Sequence, residues 1–504
     1  MIAAFINCFK IRELRDRILL TLGLIFVARL GTHIPLPGID PKPLEDYYDY
    51  VTRHTGQGGM LGMINIFTGG ALRSGSILAL GIMPYINASI FMQLFAAVEP
   101  HMARLAQEGD VGRQKISQYT RYATIGIAGI QAMMMLYVFA YHPEGIFKDA
   151  HFDASHPVIL VSKPWFMFCG TILMTSGAML LMWIGEQITQ FGIGNGTSLL
   201  ITVNILSNLP TAMGRVWAEL HPTIGSEEAG LNSSQVILMI GLLVVVVAGI
   251  VMLTQGQRKI PVHYAKRVVG RRVFQSQSNF LPLKINYSGV MPIIFASAIL
   301  MFPQQIFKYL NLLFGISIFQ GLADTLTPGT TVYYMIYAFL IFVFSFFWVA
   351  LMFKPIQVAD DLKKYGGYIP GVPPGEPTAK FLDFTMTRLT FAGAIFLTVI
   401  AVLPSILAEY KHVDWVIAQF FGGTSTLIMV GVLLDTMRQV ETFLLQRHYD
   451  GFLRKGRAKS NATRATQTLD QQEIKNLRPL WIPLVILLVL GIAAWAFNSA
   501  NLPH

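Results

Sequence analysis

The stretch GMLGMINIFTGGALRSGS (residues 59–76), followed almost at once by LALGIMPYINASIFMQLF (residues 78–95), predicts most about the fold. The first part is apolar, but it is too short and too rich in glycine to cross a membrane as one helix. The second part is uncharged and leads into a span. A half-length apolar segment beside a span is typical of a re-entrant element, whose irregular backbone must be enclosed by protein or line a water-filled cavity. The pattern therefore favours a channel or a transporter over a simple anchor.

The same apolar character recurs along all 504 residues. Apolar residues make up 53% of the chain and charged residues 13%, against about 25% charged residues in soluble proteins. Eleven uncharged apolar stretches run from residues 18–28 to residues 480–497, and the longer ones match the roughly 20 residues that cross a hydrocarbon core of about 30 Å. Each must be helical or shielded by helices, because backbone polar groups in lipid need internal partners. The chain is predicted to be an all-α polytopic membrane protein.

The distribution of lysine and arginine predicts the orientation of these spans. The N-terminus and every second loop together carry 29 of these residues, whereas the opposite side carries 8. Basic loops stay in the cytoplasm, so we expect a cytoplasmic N-terminus and, with eleven spans, a C-terminus outside. The net charge of +10 is then concentrated on one face, where it can meet anionic lipid, acidic protein or RNA.

Groups that catalyse reactions or couple transport to ions are rare in the predicted spans. Arg29, Glu186 and Asp435 lie near span ends, and we expect them to be interfacial or snorkelling groups. No GxxxxGK[ST] phosphate loop occurs, and the glycine-rich GIGNG (residues 192–196) opens a span instead of following a strand. We therefore expect no cofactor, no metal and no enzymatic activity.

Two long loops on the predicted cytoplasmic side are more specific than connectors need to be. QGQRKIPVHYAKRVVGRRV (residues 255–273) alternates basic and β-favouring residues, which predicts a projecting hairpin. ADDLKKYGGYIPGVPPGEPTAKFLD (residues 359–383) is rich in proline and glycine. We expect a large cytoplasmic partner to dock here, although positive-inside charge with lipid binding would also explain the first loop. The candidate docking residues are Arg258, Lys259, Lys266, Arg267, Arg271, Arg272, Lys363 and Lys364.

With these blocks, the sequence resembles the SecY family, the channel subunits of the bacterial Sec protein translocase. The resemblance covers nearly the whole chain, from about residue 12 to residue 447. It is carried by IPLPGI, INIFTGGAL, ILALGIMPYINASI, GRQKISQYTRY, MWIGEQIT with GIGNG, YAKRVVGRRV, LPLKIN with IFASAIL, DDLKKYG with PGEPTAKFLD, and FGGTS.

The resemblance implies ten core transmembrane helices in two pseudo-symmetric halves of five helices around an hourglass pore. The halves would cover residues 1–210 and 211–447, and an extension at residues 448–504 would add an eleventh span at about residues 480–497. Carried over motif by motif, the pore ring falls on Ile82, Ile86, Ile201, Ile294 and Ile428. The plug falls on Met60, Leu61, Met63, Ile64, Ile66 and Phe67. The lateral gate falls on a seam flanked by Asn87 and Phe302.

A ring of isoleucines suits a pore that conducts proteins. Such a ring is too narrow and too apolar to hold water when it is empty, so it blocks ions by dewetting. Branched aliphatic side chains can still deform around a passing polypeptide, because they require no particular hydrogen bond from it. The plug would add a second seal.

The function implied by the resemblance is a channel that passes unfolded secretory proteins across the bacterial plasma (inner) membrane and releases membrane-protein helices sideways into lipid. The implied partners are SecE, SecG, the SecA ATPase and/or the ribosome, signal sequences, nascent polypeptides and anionic lipids. A secondary transporter of small solutes is the alternative, but the bare span centres argue against it. The chain departs from the family at Ile356 and Pro373, where arginine is usual, and in its long C-terminal tail.

Overall fold

The structure is a computed structural model that describes residues 11–45, 59–141, 159–220, 233–264, 267–269, 272–274, 278–328, 330–410 and 424–456. The predicted eleventh span at residues 480–497 lies outside the described residues, as do Lys266 and Arg271 among the candidate docking residues. Within the described ranges the fold is mainly helical, with one three-stranded sheet and one short hairpin.

The helices are numbered in chain order. They are α1 (Arg12–Gly31), α2 (Gly59–Thr68), α3 (Met83–Val98), α4 (Pro100–Gln107), α5 (Asp110–Tyr141), α6 (Lys163–Phe191), α7 (Gly196–Ser207), α8 (Leu209–Leu220), α9 (Ser233–Gln255), α10 (Met291–Phe314), α11 (Ser317–Thr325), α12 (Thr331–Met352), α13 (Pro355–Lys364), α14 (Glu376–Tyr410) and α15 (Thr424–Gly456). The strands are β1 (Gln257–Tyr264), β2 (Arg267–Val269), β3 (Arg272–Phe274), β4 (Ser278–Lys284) and β5 (Gly367–Tyr368).

Several helices are suited to a lipid environment. Among the described residues, five helices are long and apolar enough to cross a membrane, namely α5, α6, α10, α12 and α14, while α3 and part of α9 form shorter apolar helices. Large apolar side chains such as Phe168 and Phe339 are 63% and 65% exposed, which suits lipid tails better than water. These features support a multi-pass membrane fold, and the number of ten core spans plus one stays a prediction.

Local sequence explains where two helices near the candidate site begin. Asn195 Oδ1 accepts a hydrogen bond from Ser198 N at 3.2 Å and so caps α7. A helix thus follows GIGNG, and its role as a span stays a prediction. Pro84 lies in the first turn of α3, where its missing N–H removes no helical hydrogen bond.

The described residues belong to two compact units. The first unit comprises Met1–Met213, Ile306–Phe319 and Val432–His504, and the second comprises Gly214–Gln305 and Gln320–Gly431. In the core of the first unit, α5 packs against α6. Small residues permit this close approach, because a side chain at Gly170 would meet Leu136.

The second unit contains the sheet, with β1 as its central strand. Strand β4 pairs antiparallel with β1 on one side, and β5 pairs antiparallel with β1 on the other. The short strands β2 and β3 pair with each other between β1 and β4 in the chain. These pairings confirm the predicted hairpin in this loop. The apolar core below the sheet consists of Ile260, Val262, Leu283, Phe353, Ile369, Leu382 and Met386.

Candidate functional site

The segment that links α2 to α3 is fastened to the end of α1. Ser76 Oγ donates a hydrogen bond to Gly31 O at 2.9 Å, and Leu36 N donates to Gly75 O at 2.8 Å. These bonds satisfy backbone carbonyls outside regular helix, which is the condition for irregular backbone at membrane depth. The glycine-rich exit from α1 therefore holds the re-entrant region in place.

The predicted plug residues lie along the whole length of α2. The backbone of Met60, Leu61 and Met63 is helical. Ile64 packs against the core cluster of the first unit, and the side chains of Ile66 and Phe67 are each 4% exposed. The C-terminal end of the predicted plug is thus buried in the first unit.

Three of the five predicted ring residues belong to the first unit. Ile82 and Ile86, one helical turn apart at the start of α3, are 2% and 6% exposed. Ile201 on α7 is 2% exposed. The turn before Ile82 requires glycine at position 81, because Gly81 has a φ of +59° and a Cβ there would lie 3.0 Å from Thr68 Cγ2.

The other two predicted ring residues, Ile294 on α10 and Ile428 on α15, belong to the second unit and are 4% and 0% exposed. Their helices approach closely where Val290 lies against Gly431, which has no room for a side chain. Ile294 lies four residues after Val290 and Ile428 lies three residues before Gly431, so each is about one turn along the chain from this contact.

The predicted lateral-gate residues are partly buried. Asn87 lies on α3 in the first unit, and Phe302 lies on α10 in the second unit, next to Pro303 inside that helix. Their pairing at a lateral gate stays a prediction.

The sheet joins the two predicted docking loops into one structure. Strand β5 follows α13 and pairs with the end of β1, so that His263 lies opposite Tyr368 and Tyr264 opposite Gly367. The candidate docking residues on β1 and in the last turn of α13 are exposed, namely Arg258, Lys259, Lys363 and Lys364. Arg267 and Arg272 lie on β2 and β3. Of the described basic candidates, two thus lie on the three-stranded sheet, two on the separate hairpin of β2 and β3, and two on the helix that precedes β5.

Sequence reasoning missed three polar residues that contact the end of the predicted plug. Arg29 Nη1 donates to Gly69 O at 2.9 Å, and Asn204 Nδ2 donates to Phe67 O at 2.9 Å. Asn208 Nδ2 makes a longer contact of 3.5 Å with Ile66 O. Arg29 was expected to be an interfacial or snorkelling group, and the structure shows that it binds the main chain just beyond α2. No pattern marked Asn204 and Asn208, because amides in an apolar helix do not reveal their partners.

Glu186 also has a definite partner, where an interfacial role was expected. Arg121 Nη2 lies 2.7 Å from Glu186 Oε2 and its Nε lies 3.2 Å from Oε1, so the pair is bidentate. The contact ties α5 to α6. Because the Arg121 side chain is 48% exposed, we expect it to contribute modestly to stability.

The arrangement offers apolar contact and a few hydrogen bonds. Within the described ranges, no group of three or more His, Cys, Asp or Glu residues could hold a metal ion. Buried isoleucines can seal against water, and backbone carbonyls at the end of α2 accept hydrogen bonds from side chains elsewhere in the first unit.

Comparison with known proteins places these features in a family. A model of the SecY family matches residues 76–437. The protein translocase subunit SecY of Chlamydia trachomatis is 40% identical over 456 residues, covering 90% of this chain and 98% of that protein. The SecY subunit of Vibrio cholerae is 42% identical over 451 residues, covering 89% of this chain and 95% of that protein.

Solved structures share the fold at lower identity. One, described as the structure of a protein conducting channel, has a TM-score of 0.59 and 18% identity, and the alignment covers 84% of this chain and 91% of that chain. Another, Sec61 in the canine ribosome-channel complex from the endoplasmic reticulum, has a TM-score of 0.55 and 18% identity with the same coverage.

Proposed function

The chain belongs to the SecY family of protein translocase subunits, and from this premise we propose that it passes unfolded secretory proteins through an isoleucine-lined pore. It also releases membrane-protein helices sideways into lipid, at a seam flanked by Asn87 and Phe302. Curated relatives about 40% identical over 90% of the chain are translocase subunits, and they give no support to a transporter of small solutes.

The observation that carries the proposal is the burial of Ile82, Ile86 and Ile201 close to the end of α2. Gly81, immediately before Ile82, lies against Thr68, and α7, which carries Ile201, packs against α2. A seal of this kind excludes water when the channel is idle. It also places no hydrogen-bonding demand on the substrate, so polypeptides of any sequence can pass.

The proposed partners meet the channel at three surfaces. SecE and SecG join it in the membrane, the SecA ATPase and/or the ribosome bind the cytoplasmic loops, and signal sequences and nascent polypeptides enter the pore. Exposed Arg258 and Lys259 support an anionic partner or anionic lipid at the cytoplasmic face. Ile356 is 68% exposed where the family usually has arginine, so apolar contact replaces charge at that point of the docking surface.

The proposed location is the bacterial plasma membrane with a cytoplasmic N-terminus. The excess of lysine and arginine in alternate loops supports this orientation. In this orientation the sheet built on β1 faces the cytoplasm, where a motor or a ribosome can reach it.

A stalled precursor tests the proposed path directly. The purified translocase is reconstituted in proteoliposomes with its motor, and a precursor carrying a folded C-terminal domain is arrested partway across. A photoreactive amino acid replaces Ile86, and in a matched variant it replaces Phe91 on the same helix, which is 60% exposed. We expect capture of the precursor from position 86 and capture of lipid from position 91.

A probe at a second ring position controls for the case in which the bulky amino acid at Ile86 distorts the channel. The probe at Ile201 should also capture the precursor, because α7 contributes to the same ring. If protease-protected precursor accumulates but is captured from neither Ile86 nor Ile201, the proposed path is wrong.

A further inference from the structure

The C-terminal end of α2 has a well-defined turn. Gly69 has a φ of +66°, its N–H donates to Ile66 O at 3.3 Å, and Gly70 N donates to Asn65 O at 3.1 Å. This is the hydrogen-bond pattern of a Schellman motif, which ends a helix at a glycine and satisfies two of its last carbonyls. The carbonyl of Phe67 is left for a partner from elsewhere.

That partner comes from α7. Asn204 is 8% exposed, and its Nδ2 donates to Phe67 O at 2.9 Å. One turn later on the same face of α7, Asn208 Nδ2 reaches Ile66 O at 3.5 Å and also donates to Asn204 O at 2.9 Å. A buried amide must use its donors, and here the donors bind the end of α2.

Arg29 adds a positive charge at the same place. Its Nη1 donates to Gly69 O at 2.9 Å, just beyond the C-terminus of α2, where the helix dipole favours a cation. The site has no spare room, since a Cβ at Gly69 would lie 2.5 Å from Arg29 Nη1 and 2.8 Å from Asn204 Oδ1.

A second buried polar residue of α7 uses its hydrogen-bond donor differently from Asn204. Thr202 is 3% exposed, and its hydroxyl donates to Ser198 O of its own helix at 2.9 Å. Asn204, two residues away, instead binds a segment more than 130 residues earlier in the chain.

We propose that Arg29, Asn204 and Asn208 form a polar latch that holds the end of the plug helix α2 in the idle channel. The inference rests on the proposed function, in which α2 is the plug. The latch binds main-chain carbonyls through hydrogen bonds, which water or a substrate can replace. It adds to the apolar contacts of Ile66 and Phe67, which are each 4% exposed, and fixes the position of the turn that ends α2.

The latch is tested by the resting ion conductance of the purified translocase in planar bilayers without substrate. Replacing Asn204 with leucine removes the donor to Phe67 O while keeping similar volume. Because one hydrogen bond biases an equilibrium by about fivefold, we expect the resting open fraction of Asn204→Leu to rise about fivefold. The double variant Asn204→Leu, Asn208→Leu should exceed it, and Thr202→Val on the same helix should match the wild type.

A second variant changes Gly69, the residue just beyond α2 whose carbonyl Arg29 binds. Gly69→Ala places a methyl group against Arg29 and Asn204 and imposes a left-handed backbone on alanine, so we expect a rise in resting open fraction of about tenfold. When a synthetic signal peptide is added and the plug has left, the latch variants and the wild type should conduct equally. A variant that damages the channel structure in general would also change the conductance of the open channel.

A channel lacking residues 61–66 separates failure of the latch from failure of the proposed function. If this deletion leaks but Asn204→Leu and Gly69→Ala both conduct like the wild type, the latch is wrong and the plug assignment stands. If the deletion itself does not leak, α2 is not a seal, and both the plug assignment and the latch are overturned.

Discussion

At the end of α2, three polar side chains from elsewhere in the first unit hold a turn that ends in glycine, whereas the sheet built on β1 rests on seven buried apolar residues. Both regions carry residues that the sequence marks as functional. In the first, hydrogen bonds worth about 1 kcal/mol net each add to the burial of Ile66 and Phe67. The second is fixed by apolar burial, where truncating one large side chain costs about 2–5 kcal/mol.

Under the proposed function, this difference indicates which region exchanges its hydrogen-bond partners during transport. Hydrogen bonds to main-chain carbonyls can be exchanged one at a time with water, so under the proposed function we expect the end of α2 to leave and return. The sheet joins two loops through β1 and shares one core, so we expect it to stay folded when a partner binds. A channel needs both properties, and the chain places them in separate units.

Truncating Leu382 should have the largest effect and should be confined to the sheet. Leu382 is fully buried in the core below the sheet, so Leu382→Ala should lower the free energy of unfolding of this region by about 3 kcal/mol. Limited proteolysis of the two cytoplasmic loops over a temperature series measures the loss. Resting conductance should not change.

The matched control is Phe384→Ala on the same helix. Phe384 is 56% exposed and its ring lies under the guanidinium of Arg388, so its truncation should lower stability by at most about 1 kcal/mol. Equal losses for the two variants would mean that the core below the sheet does not hold the loops.

Serine in the pore ring should change resting conductance and leave the stability of the sheet unchanged, the reverse of the result expected for Leu382→Ala. Replacing Ile82, Ile86 and Ile294 together should raise resting ion conductance roughly tenfold or more, because three hydroxyls favour water where isoleucine excludes it. Proteolysis of the cytoplasmic loops should be unaffected. Planar-bilayer recordings without substrate give the result, and a current no larger than that of the wild type would show that these residues do not form the seal.

Charge reversal on the sheet should have the smallest effect. Arg258 and Lys259 are exposed on β1, so reversing both to glutamate should weaken binding of the SecA motor roughly fivefold at low ionic strength, with little change in stability. The difference should shrink as salt is added. Lys163→Glu, at the start of α6, is a charge reversal away from the sheet with half the change in net charge, and it should weaken binding much less than half as much. Unchanged affinity at low salt would leave only the positive-inside explanation for these residues.

The sequence predicted the helical membrane fold and the hairpin well, because both depend on local patterns. Apolar runs report spans directly, and alternating residues 257–264 report a strand. It could not show that Gly367 and Tyr368 form β5 and pair with β1, because a two-residue strand has no periodicity. Nor could it show that Arg29 and Asn204 meet at Gly69, since that contact depends on tertiary packing.

Hydrogen–deuterium exchange on the reconstituted translocase, idle and loaded with a stalled precursor, tests the contrast between the two regions most directly. Amide exchange reports local opening segment by segment. Loading should speed exchange at residues 66–70, where the turn and its latch are broken, and should leave exchange in β1 and β4 unchanged. Faster exchange in the strands with residues 66–70 still protected would contradict the division into a releasable plug end and a fixed cytoplasmic sheet.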